Sequence, residues 1–358
     1  MMIPLDKYQS TKDERTQNYL RTVKFQNPKW IPCTVGIMPA TWKKYREDVE
    51  NIVLRHPNIF PDYRKGMRNF DEMEPKHRKG YFVDPWGCGW HNIFEGMTGE
   101  QTTHPLERWD ALRTYKAPDT SQDDWANHLD WSKIRENAKK TKRRGKLARG
   151  GLSHGFMFMR LYYLRGFENL MIDFATKEPK LRRLIDMVLN RNMQLIKEWL
   201  KMGVELMYFG DDLGAQTSLP ISPKHFRQYL KPCYAKMFDL CHDAGVLVYF
   251  HTDGHVLEVI DDLIECGIDI INPQVRANTL KGLAEIAKGK VCINLDLDRQ
   301  LFPFAKPIEI KRHIKQAVDV LGYKKGGLML YAECEPDVPL KNIETICEAF
   351  EEYGGPSA

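Results

Sequence analysis

A histidine and an aspartate stand at the end of one strand-like segment of this chain. Residues 246–250 read Val-Leu-Val-Tyr-Phe, a run that predicts a strand buried on both faces, and His251 and Asp253 follow it. The active sites of parallel α/β proteins lie at the C-terminal ends of their strands. His251 and Asp253 are therefore the first candidates for an active site. The alternative is that Asp253 caps a helix that begins near His255.

Polar residues also follow three other predicted strands. They are Asp211 and Asp212 after residues 205–209, Asn272 and Gln274 at the end of residues 268–272, and Glu333 and Cys334 after residues 327–331. In a barrel of parallel strands all of these ends open on one face. Residues far apart in the sequence would then share one pocket.

An imidazole, a carboxylate and a thiolate among these residues match the donors of a zinc site. His251 and Asp253 are two residues apart, so their side chains face the same way on an extended strand end. Cys334 is the one cysteine at such a strand end. The pattern predicts zinc held by His251, Asp253 and Cys334 with a fourth position open, as in catalytic zinc sites. No C-x-x-C or H-E-x-x-H motif adds to this prediction.

The elements that position these residues alternate between strands and helices. Predicted strands begin at residues 246, 268, 291 and 327, and the helices between and after them are predicted at 255–266, 277–288, 307–320 and 340–353. One strand and one helix per repeat imply right-handed parallel crossovers. The pattern predicts an α/β fold, a (β/α)8 TIM barrel, with an irregular N-terminal extension over 1–130. We expect a single domain over 1–358.

Composition argues against several classes of protein. The 358 residues are 42% hydrophobic with a net charge of +5, which argues little for nucleic acid binding. We see neither a secretory signal nor an apolar segment of membrane-spanning length, so we expect a cytoplasmic protein without membrane contact. The eight cysteines have no disulfide-like spacing, so most are expected to be reduced and buried.

Several motifs together resemble the uroporphyrinogen decarboxylase superfamily. They are residues 210–216 (Gly-Asp-Asp-Leu-Gly-Ala-Gln), 221–223 (Ile-Ser-Pro), 251–254 (His-Thr-Asp-Gly), 267–274 (Gly-Ile-Asp-Ile-Ile-Asn-Pro-Gln), 339–343 (Pro-Leu-Lys-Asn-Ile) and, near the N-terminus, 84–90 (Asp-Pro-Trp-Gly-Cys-Gly-Trp). The resemblance covers about residues 140–355 and implies a TIM barrel.

The residues that decarboxylases of this superfamily use are missing. Those enzymes bind the acidic side chains of a porphyrinogen with arginines of an early segment and carry a late Gly-His-Gly. In this chain no arginine lies between Arg21 and Arg46, and Glu333 and Cys334 replace the late Gly-His. A pocket without guanidinium groups, which bind carboxylates in a bidentate manner, binds the carboxylates of a porphyrinogen weakly. Decarboxylation of uroporphyrinogen is therefore not expected.

Within the superfamily, the chain resembles the branch of zinc-dependent corrinoid methyltransferases. The zinc ligands of those enzymes are a His-x-Cys motif and a distant cysteine. Here His251 matches the histidine, Cys334 matches the second cysteine, and Asp253 stands where the first cysteine would be. A carboxylate in place of a thiolate makes the zinc harder. Such a zinc ion is better suited to activating an ether or alcohol than to activating a thiol.

The resemblance implies zinc-assisted methyl transfer between a small substrate, such as a methoxylated aromatic compound, and a corrinoid (cobalamin) carried by a partner protein. No D-x-H-x-x-G corrinoid-binding segment occurs in this chain. A homodimer is one option for its assembly. The alternatives are a metal-free lyase, with Asp84 or Asp212 on the pyrrole nitrogens of a tetrapyrrole, and a barrel that binds a ligand without catalysis.

Seven further residues receive roles in this prediction. Asp211, Asp212 and Glu333 are candidate catalytic groups, and Asp84, Trp86, Gln216 and Gln274 are candidate substrate contacts. Each has a structural alternative. The paired aspartates would fix a loop, Trp86 would belong to the core, and the two glutamines would satisfy buried backbone groups.

We predict that the protein does not decarboxylate uroporphyrinogen, because the arginines and the late Gly-His are missing. Incubation with uroporphyrinogen, with coproporphyrinogen measured by chromatography, checks this. Conversion at a normal enzymatic rate would overturn the prediction, whereas weak binding of the porphyrinogen would not.

Overall fold

A computed structural model describes residues 13–354 of the chain. These residues form two compact units. The first contains residues 13–17, Tyr81–His91 and Glu100–Asn272, and the second contains Asn18–Gly80, Asn92–Gly99 and residues 273–354. The single domain expected from the sequence stays a prediction, and each unit is described by itself.

The described residues contain ten strands and thirteen α-helices. The strands are β1 Cys33–Ile37, β2 Gly80–Val83, β3 Gly89–Asn92, β4 Glu100–Thr103, β5 Arg149–Gly151, β6 Leu206–Gly210, β7 Leu247–Thr252, β8 Ile270–Pro273, β9 Cys292–Asp296 and β10 Leu328–Cys334. The helices are α1 Glu14–Val23, α2 Pro39–Arg55, α3 Trp131–Arg143, α4 Phe158–Arg165, α5 Phe167–Thr176, α6 Lys180–Lys201, α7 Pro223–His225, α8 Lys231–Asp243, α9 Ile260–Glu265, α10 Val275–Asn278, α11 Leu280–Ile286, α12 Pro307–Leu321 and α13 Leu340–Tyr353.

The strand order of the main sheet is β1-β10-β9-β8-β7-β6-β5, and β2, β3 and β4 form a second, three-stranded sheet. The pairs β5–β6, β6–β7, β9–β10 and β10–β1 are parallel. The prediction of a parallel α/β fold is confirmed. The sheet has seven strands in the described residues, so a closed eight-stranded barrel stays a prediction.

In the first unit, apolar side chains of β6 and β7 pack against α8. Both strands contain aromatic residues, and β7 also contains the β-branched Val248 and Thr252; such residues favour a pleated, buried environment. The ring of Phe238 on α8 lies 5.1 Å from the ring of Phe209 and 5.9 Å from that of Phe250. This packing holds the C-terminal ends of β6 and β7 in register, with Gly210 opposite His251.

In the second unit, α2, α12 and α13 pack beside one another. Pro307 begins α12, where its missing N–H costs no hydrogen bond. Buried residues such as Ile310, Ile314 and Ile346 recur at helical spacing. The amphipathic helices predicted at 307–320 and 340–353 are confirmed almost to the residue.

Two differences from the predicted boundaries affect the candidate residues. The strand predicted at 246–250 continues to Thr252, so His251 belongs to β7, and the strand predicted at 327–331 ends at Cys334. The helix predicted from residue 255 begins instead with a 3-10 turn over Leu257–Val259. Asp253 therefore caps no helix.

Residues 222–232 contain a capped helix start and a widened helical turn. The Ser222 hydroxyl accepts a hydrogen bond from the N–H of His225, as expected of a helix cap. A π-helical segment, Phe226–Leu230, precedes Pro232. Proline cannot donate to the preceding turn, so a widened turn absorbs the irregularity.

Burial of the cysteines follows expectation. Seven of the eight cysteines are buried, only Cys33 is partly exposed, and all are free thiols. Among the described residues, no helix combines the length and the apolar character that crossing a membrane requires.

A buried ion pair lies in the first unit between the loop after β2 and α4. Arg160 and Asp84 have fully buried side chains, and Arg160 Nη1 donates to Asp84 Oδ2 at 2.8 Å. The same carboxylate accepts hydrogen bonds from the N–H groups of Trp86 and Cys88 and from Trp90 Nε1. The guanidinium also lies over the ring of Trp86, 5.3 Å from its centroid. These contacts fix residues 84–90 as a rigid loop.

We predict that Asp84→Asn destabilises the protein by about 3–5 kcal/mol, because it removes the carboxylate that accepts the hydrogen bond of the buried Arg160 guanidinium and leaves only Asp124, 3.8 Å away, as its counter-charge. Urea unfolding followed by circular dichroism measures the change. Asp71→Asn is the matched control, since Asp71 pairs with Arg46 at 3.1 Å on the exposed surface, where ion pairs contribute little. Equal effects of the two variants would contradict the prediction.

Candidate active site

The ends of four strands of the first unit carry polar side chains. Gly151 ends β5 and His154 follows three residues later, Asp211 and Asp212 follow β6, His251 and Asp253 lie at the end of β7, and Asn272 lies in β8. Parallel strands bring these ends to one edge of the sheet. Asp212, His251 and Asp253 therefore lie together, and His154 joins them.

The loops after β6 and β7 are joined by backbone hydrogen bonds. The N–H of Asp211 donates to the carbonyl of His251 at 3.0 Å, and the N–H of Gly214 donates to the carbonyl of Asp253 at 3.1 Å. Gly254 has φ +81°, and a Cβ there would lie 2.1 Å from the carbonyl oxygen of Gly214. Only glycine allows this approach. Gly214 of the motif at 210–216 and Gly254 of the motif at 251–254 therefore allow the two loops to approach each other.

The orientation of the His251 ring is set by Asn272. Nδ1 of His251 lies 2.7 Å from Oδ1 of Asn272, and because an amide oxygen only accepts, Nδ1 carries the proton. Nε2 then points towards two carboxylates, 3.3 Å from Asp253 Oδ1 and 3.9 Å from Asp212 Oδ1. A nitrogen lone pair repels carboxylate oxygens, so this arrangement calls for a proton or a metal cation at Nε2.

His154 completes the same group of side chains. Its Nε2 lies 3.0 Å from Asp212 Oδ2, and its ring centroid lies 5.4 Å from that of His251. A Cβ at Gly210 would lie 2.7 Å from Nδ1 of His154. Glycine at the end of β6 therefore provides the space for this imidazole.

Asp212 is ionised at neutral pH. Burial alone would raise the pKa of its carboxyl, but the hydrogen bond from His154, the charges of His154 and His251 and the N–H of Asp253 outweigh burial and lower the pKa to about 2. A carboxylate with that pKa holds no proton to donate. The catalytic role predicted for Asp212 as an acid stays a prediction, and the structure favours Asp212 as a charged ligand.

Asp211 points the other way, into the protein. Its carboxylate accepts hydrogen bonds from the N–H groups of Phe158 and Met159 at 2.6 and 2.9 Å and from the hydroxyl of Tyr234 at 2.6 Å. Complete burial raises the pKa of Asp211 to about 6, although these three donors oppose the rise. A carboxylate at a helix N-terminus stabilises that helix. The geometry favours the loop-fixing alternative for Asp211.

Glu333 and Cys334 lie in the second unit, at the end of β10. Glu333 accepts hydrogen bonds from Arg299 Nη1 and from the hydroxyl of Tyr331, both at 2.8 Å. Cys334 is fully buried, and burial raises the pKa of its thiol. The hydroxyl of Thr41 donates to the Cys334 carbonyl at 2.9 Å. Ligation of zinc by Cys334 and catalysis by Glu333 stay predictions.

The candidate substrate contacts are distributed over different parts of the chain. Asp84 and Trp86 are buried, and Trp86 Nε1 donates to Asp124 at 2.8 Å. The four protein donors on Asp84 leave it poorly suited to contact pyrrole nitrogens. Gln216 is exposed in the loop after β6. Gln274 lies in the second unit at the start of α10, where its carbonyl accepts a hydrogen bond from Asn278. Substrate binding by these four residues stays a prediction.

Three side chains of the first unit are arranged to hold a metal ion. One donor atom from each of His154, Asp212 and His251 lies within 4.8 Å of the others. The sequence pattern does not reveal a strand before His154, because β5 is three residues long and contains two glycines, which are poor strand formers. A histidine shortly after a strand was the signal that identified His251, and it applies equally to His154.

Comparisons with known proteins agree with the resemblance read from the sequence. The family model for uroporphyrinogen decarboxylase (URO-D) matches residues 102–353, more than half of the chain. The chain belongs to this family of enzymes. No curated protein sequence matches it significantly.

Solved structures show what the fold of this URO-D family member is similar to. A methyltransferase from Methanosarcina mazei superposes with a TM-score of 0.60 and 18% identity, covering 95% of this chain and 98% of that chain. A D-psicose 3-epimerase from Clostridium cellulolyticum H10 reaches a TM-score of 0.40 and 12% identity over 63% of this chain and 83% of that chain. At such low identity the first match establishes a shared fold, and the second carries no argument.

One arginine of the second unit, Arg299, lies beside the predicted site residue Glu333. Arg299 is the basic residue beside Glu333, and its guanidinium also lies on Asp296. Both acidic partners are mostly buried. With two carboxylates already bound, Arg299 has little charge left to attract the carboxylates of a porphyrinogen.

We predict that Asp211→Ala destabilises the protein by at least about 2–3 kcal/mol, because two backbone N–H groups and one hydroxyl lose their acceptor inside the protein. Tyr234→Phe removes only one of these hydrogen bonds and should cost about 1 kcal/mol. Chemical unfolding of both variants gives the comparison. Similar stabilities for Asp211→Ala and the wild type would show that the carboxylate does not anchor α4.

Proposed function

We propose that this member of the URO-D family is a methyltransferase that uses a bound zinc ion to transfer a methyl group between a small oxygen-containing substrate and a corrinoid held by a partner protein. The observation that carries the proposal is the orientation of His251. Its Nδ1 proton is committed to Asn272 and its Nε2 faces Asp212 and Asp253. This is how metal-binding histidines are held in proteins.

The residues present fit a zinc ion. Imidazole nitrogens and carboxylate oxygens are among its usual donors, and catalytic zinc sites have three protein ligands and one open position. The side chains of His154, Asp212 and His251 are 41%, 25% and 19% exposed, so a substrate can reach them. Zinc bound there would supply a Lewis acid to the oxygen from which the methyl group departs.

The chain's own residues contribute orientation and charge to this reaction. Breaking the C–O bond of a methoxy group leaves negative charge on the oxygen, which needs a proton or a positive charge beside it. Ionised Asp212 supplies no proton, so in our proposal it helps to bind the cation. Glu333 is the other candidate catalytic group from the sequence, and donation of that proton by Glu333 remains part of the hypothesis to be tested.

The similarity in fold to the methyltransferase from Methanosarcina mazei supports this proposal over the lyase, as do the absent arginines. The closed eight-stranded barrel, the cytoplasmic location, the O-demethylase activity on methoxylated aromatic compounds and a homodimer are further parts of the proposal. The sequence resemblance supports the barrel and the O-demethylase activity, and each part can be tested separately.

We predict about one zinc ion per chain in protein purified without chelator, together with methyl transfer from a methoxylated aromatic compound to cob(I)alamin. The His251→Ala variant should lose both the zinc ion and the methyl transfer activity, because the substitution removes a zinc ligand. Asn272→Ala should weaken zinc binding by roughly 10- to 100-fold, because it only orients that ligand. Elemental analysis and the change in corrinoid absorbance measure the two properties.

A zinc-free active enzyme would contradict the role of the metal. Zinc-loaded protein that transfers no methyl group from any of a panel of ethers, alcohols and methylamines would contradict the methyltransferase. Release of carbon dioxide from a carboxylic acid substrate would instead favour the lyase.

A further inference from the structure

We infer that His154, Asp212 and His251 of the first unit are the protein ligands of the metal, and that the fully buried Cys334, which belongs to no group of possible metal ligands among the described residues, is not one of them. This inference rests on the proposed function, since it names the ligands of the zinc ion that the function requires. It changes the expected ligand set from one that contains sulfur to one that contains only nitrogen and oxygen.

The distances between the donor atoms suit a shared cation. With zinc–ligand bonds of roughly 2.1 Å, tetrahedral geometry puts neighbouring ligand atoms about 3.4 Å apart. His154 Nε2 lies 3.0 Å from Asp212 Oδ2, and His251 Nε2 lies 3.9 Å from Asp212 Oδ1. The two separations involve different oxygens of Asp212, so this carboxylate lies between the two imidazoles and would bind the ion through one or both of its oxygens.

The local structure already holds each of these ligands. Asn272 fixes the ring of His251, and the N–H of Asp253 donates to Asp212 Oδ1 at 3.0 Å. Gly210 leaves room for the ring of His154. A ligand set that is positioned before the metal binds loses less conformational freedom on binding.

Asp253 is the remaining carboxylate of the site. Its Oδ1 lies 3.3 Å from His251 Nε2, close enough to contact a substrate bound at the open fourth position of the ion. A zinc ion with two imidazoles and one or two carboxylates is harder than one with thiolates. The inference therefore narrows the substrate to a compound whose methyl group is bound to oxygen, and argues against thiol activation.

X-ray absorption spectroscopy of the zinc-loaded protein tests the inference directly. Metal-free full-length protein receives one equivalent of Zn2+, and the distances to its neighbours are measured. We expect only nitrogen and oxygen neighbours near 2.0–2.2 Å, and the same spectrum for Cys334→Ala. A sulfur neighbour near 2.3 Å that disappears in Cys334→Ala would overturn the inference.

Zinc affinity of variants provides an independent test. His154→Ala and Asp212→Asn should each weaken zinc binding by roughly 100-fold or more, since each removes one of three ligands, a larger loss than that of an orienting residue. His242→Ala is the matched control, because His242 Nε2 lies 3.0 Å from Asp269 without a second histidine. Its affinity should be unchanged. Circular dichroism confirms that each variant is folded.

Unchanged zinc affinity in a folded His154→Ala variant would also overturn the inference. Both tests use zinc alone and need no methyl donor. A protein that binds zinc through these three residues but transfers no methyl group would therefore leave the ligand set standing and refute the proposed function.

Discussion

Two consecutive aspartates with opposite orientations organise the candidate site. Asp211 turns inwards and accepts hydrogen bonds from the first N–H groups of α4, while Asp212 turns outwards to His154 and His251. Successive side chains of an extended chain point to opposite faces. One Asp-Asp pair therefore anchors a helix with its first carboxylate and presents charge to the site with its second.

The electrostatic environment separates the two carboxylates further. Complete burial raises the pKa of Asp211 to about 6 although its three donors oppose the rise, whereas at Asp212 the two histidines and the N–H of Asp253 outweigh burial and lower the pKa to about 2. The two neighbouring carboxyls therefore differ strongly in their affinity for a proton. The lower value keeps Asp212 charged over the pH range in which proteins work, as binding of a cation requires.

Helix α4 connects this site with the rest of the first unit. Phe158 and Met159 donate to Asp211, and the next residue, Arg160, pairs with Asp84. Three consecutive residues thereby attach the start of α4 to Asp211 through the backbone and to Asp84 through a side chain. Loss of either carboxylate would free one side, so substitution of the buried Asp84 is expected to disturb His154 and Asp212 as well as global stability.

Sequence by itself determined the elements with a strong local pattern and the residues at their ends. The apolar run of β7 and the 3.6-residue period of α12 and α13 are local properties, so they were readable from the chain alone. His251, Asp253 and the Asp211–Asp212 pair followed because strand ends in parallel sheets share one edge. Family membership was readable too, since it depends on motifs such as residues 251–254.

Only the tertiary structure decided which of these side chains meet. It brought His154 to Asp212 from the end of a strand too short and too rich in glycine to be recognised. It turned Asp211 towards the N-terminus of α4. It also placed Asp84, the first residue of the motif at 84–90, against Arg160, which lies 76 residues away in the sequence. Side-chain direction and long-range pairing depend on packing between distant segments, and that information is absent from local residue patterns.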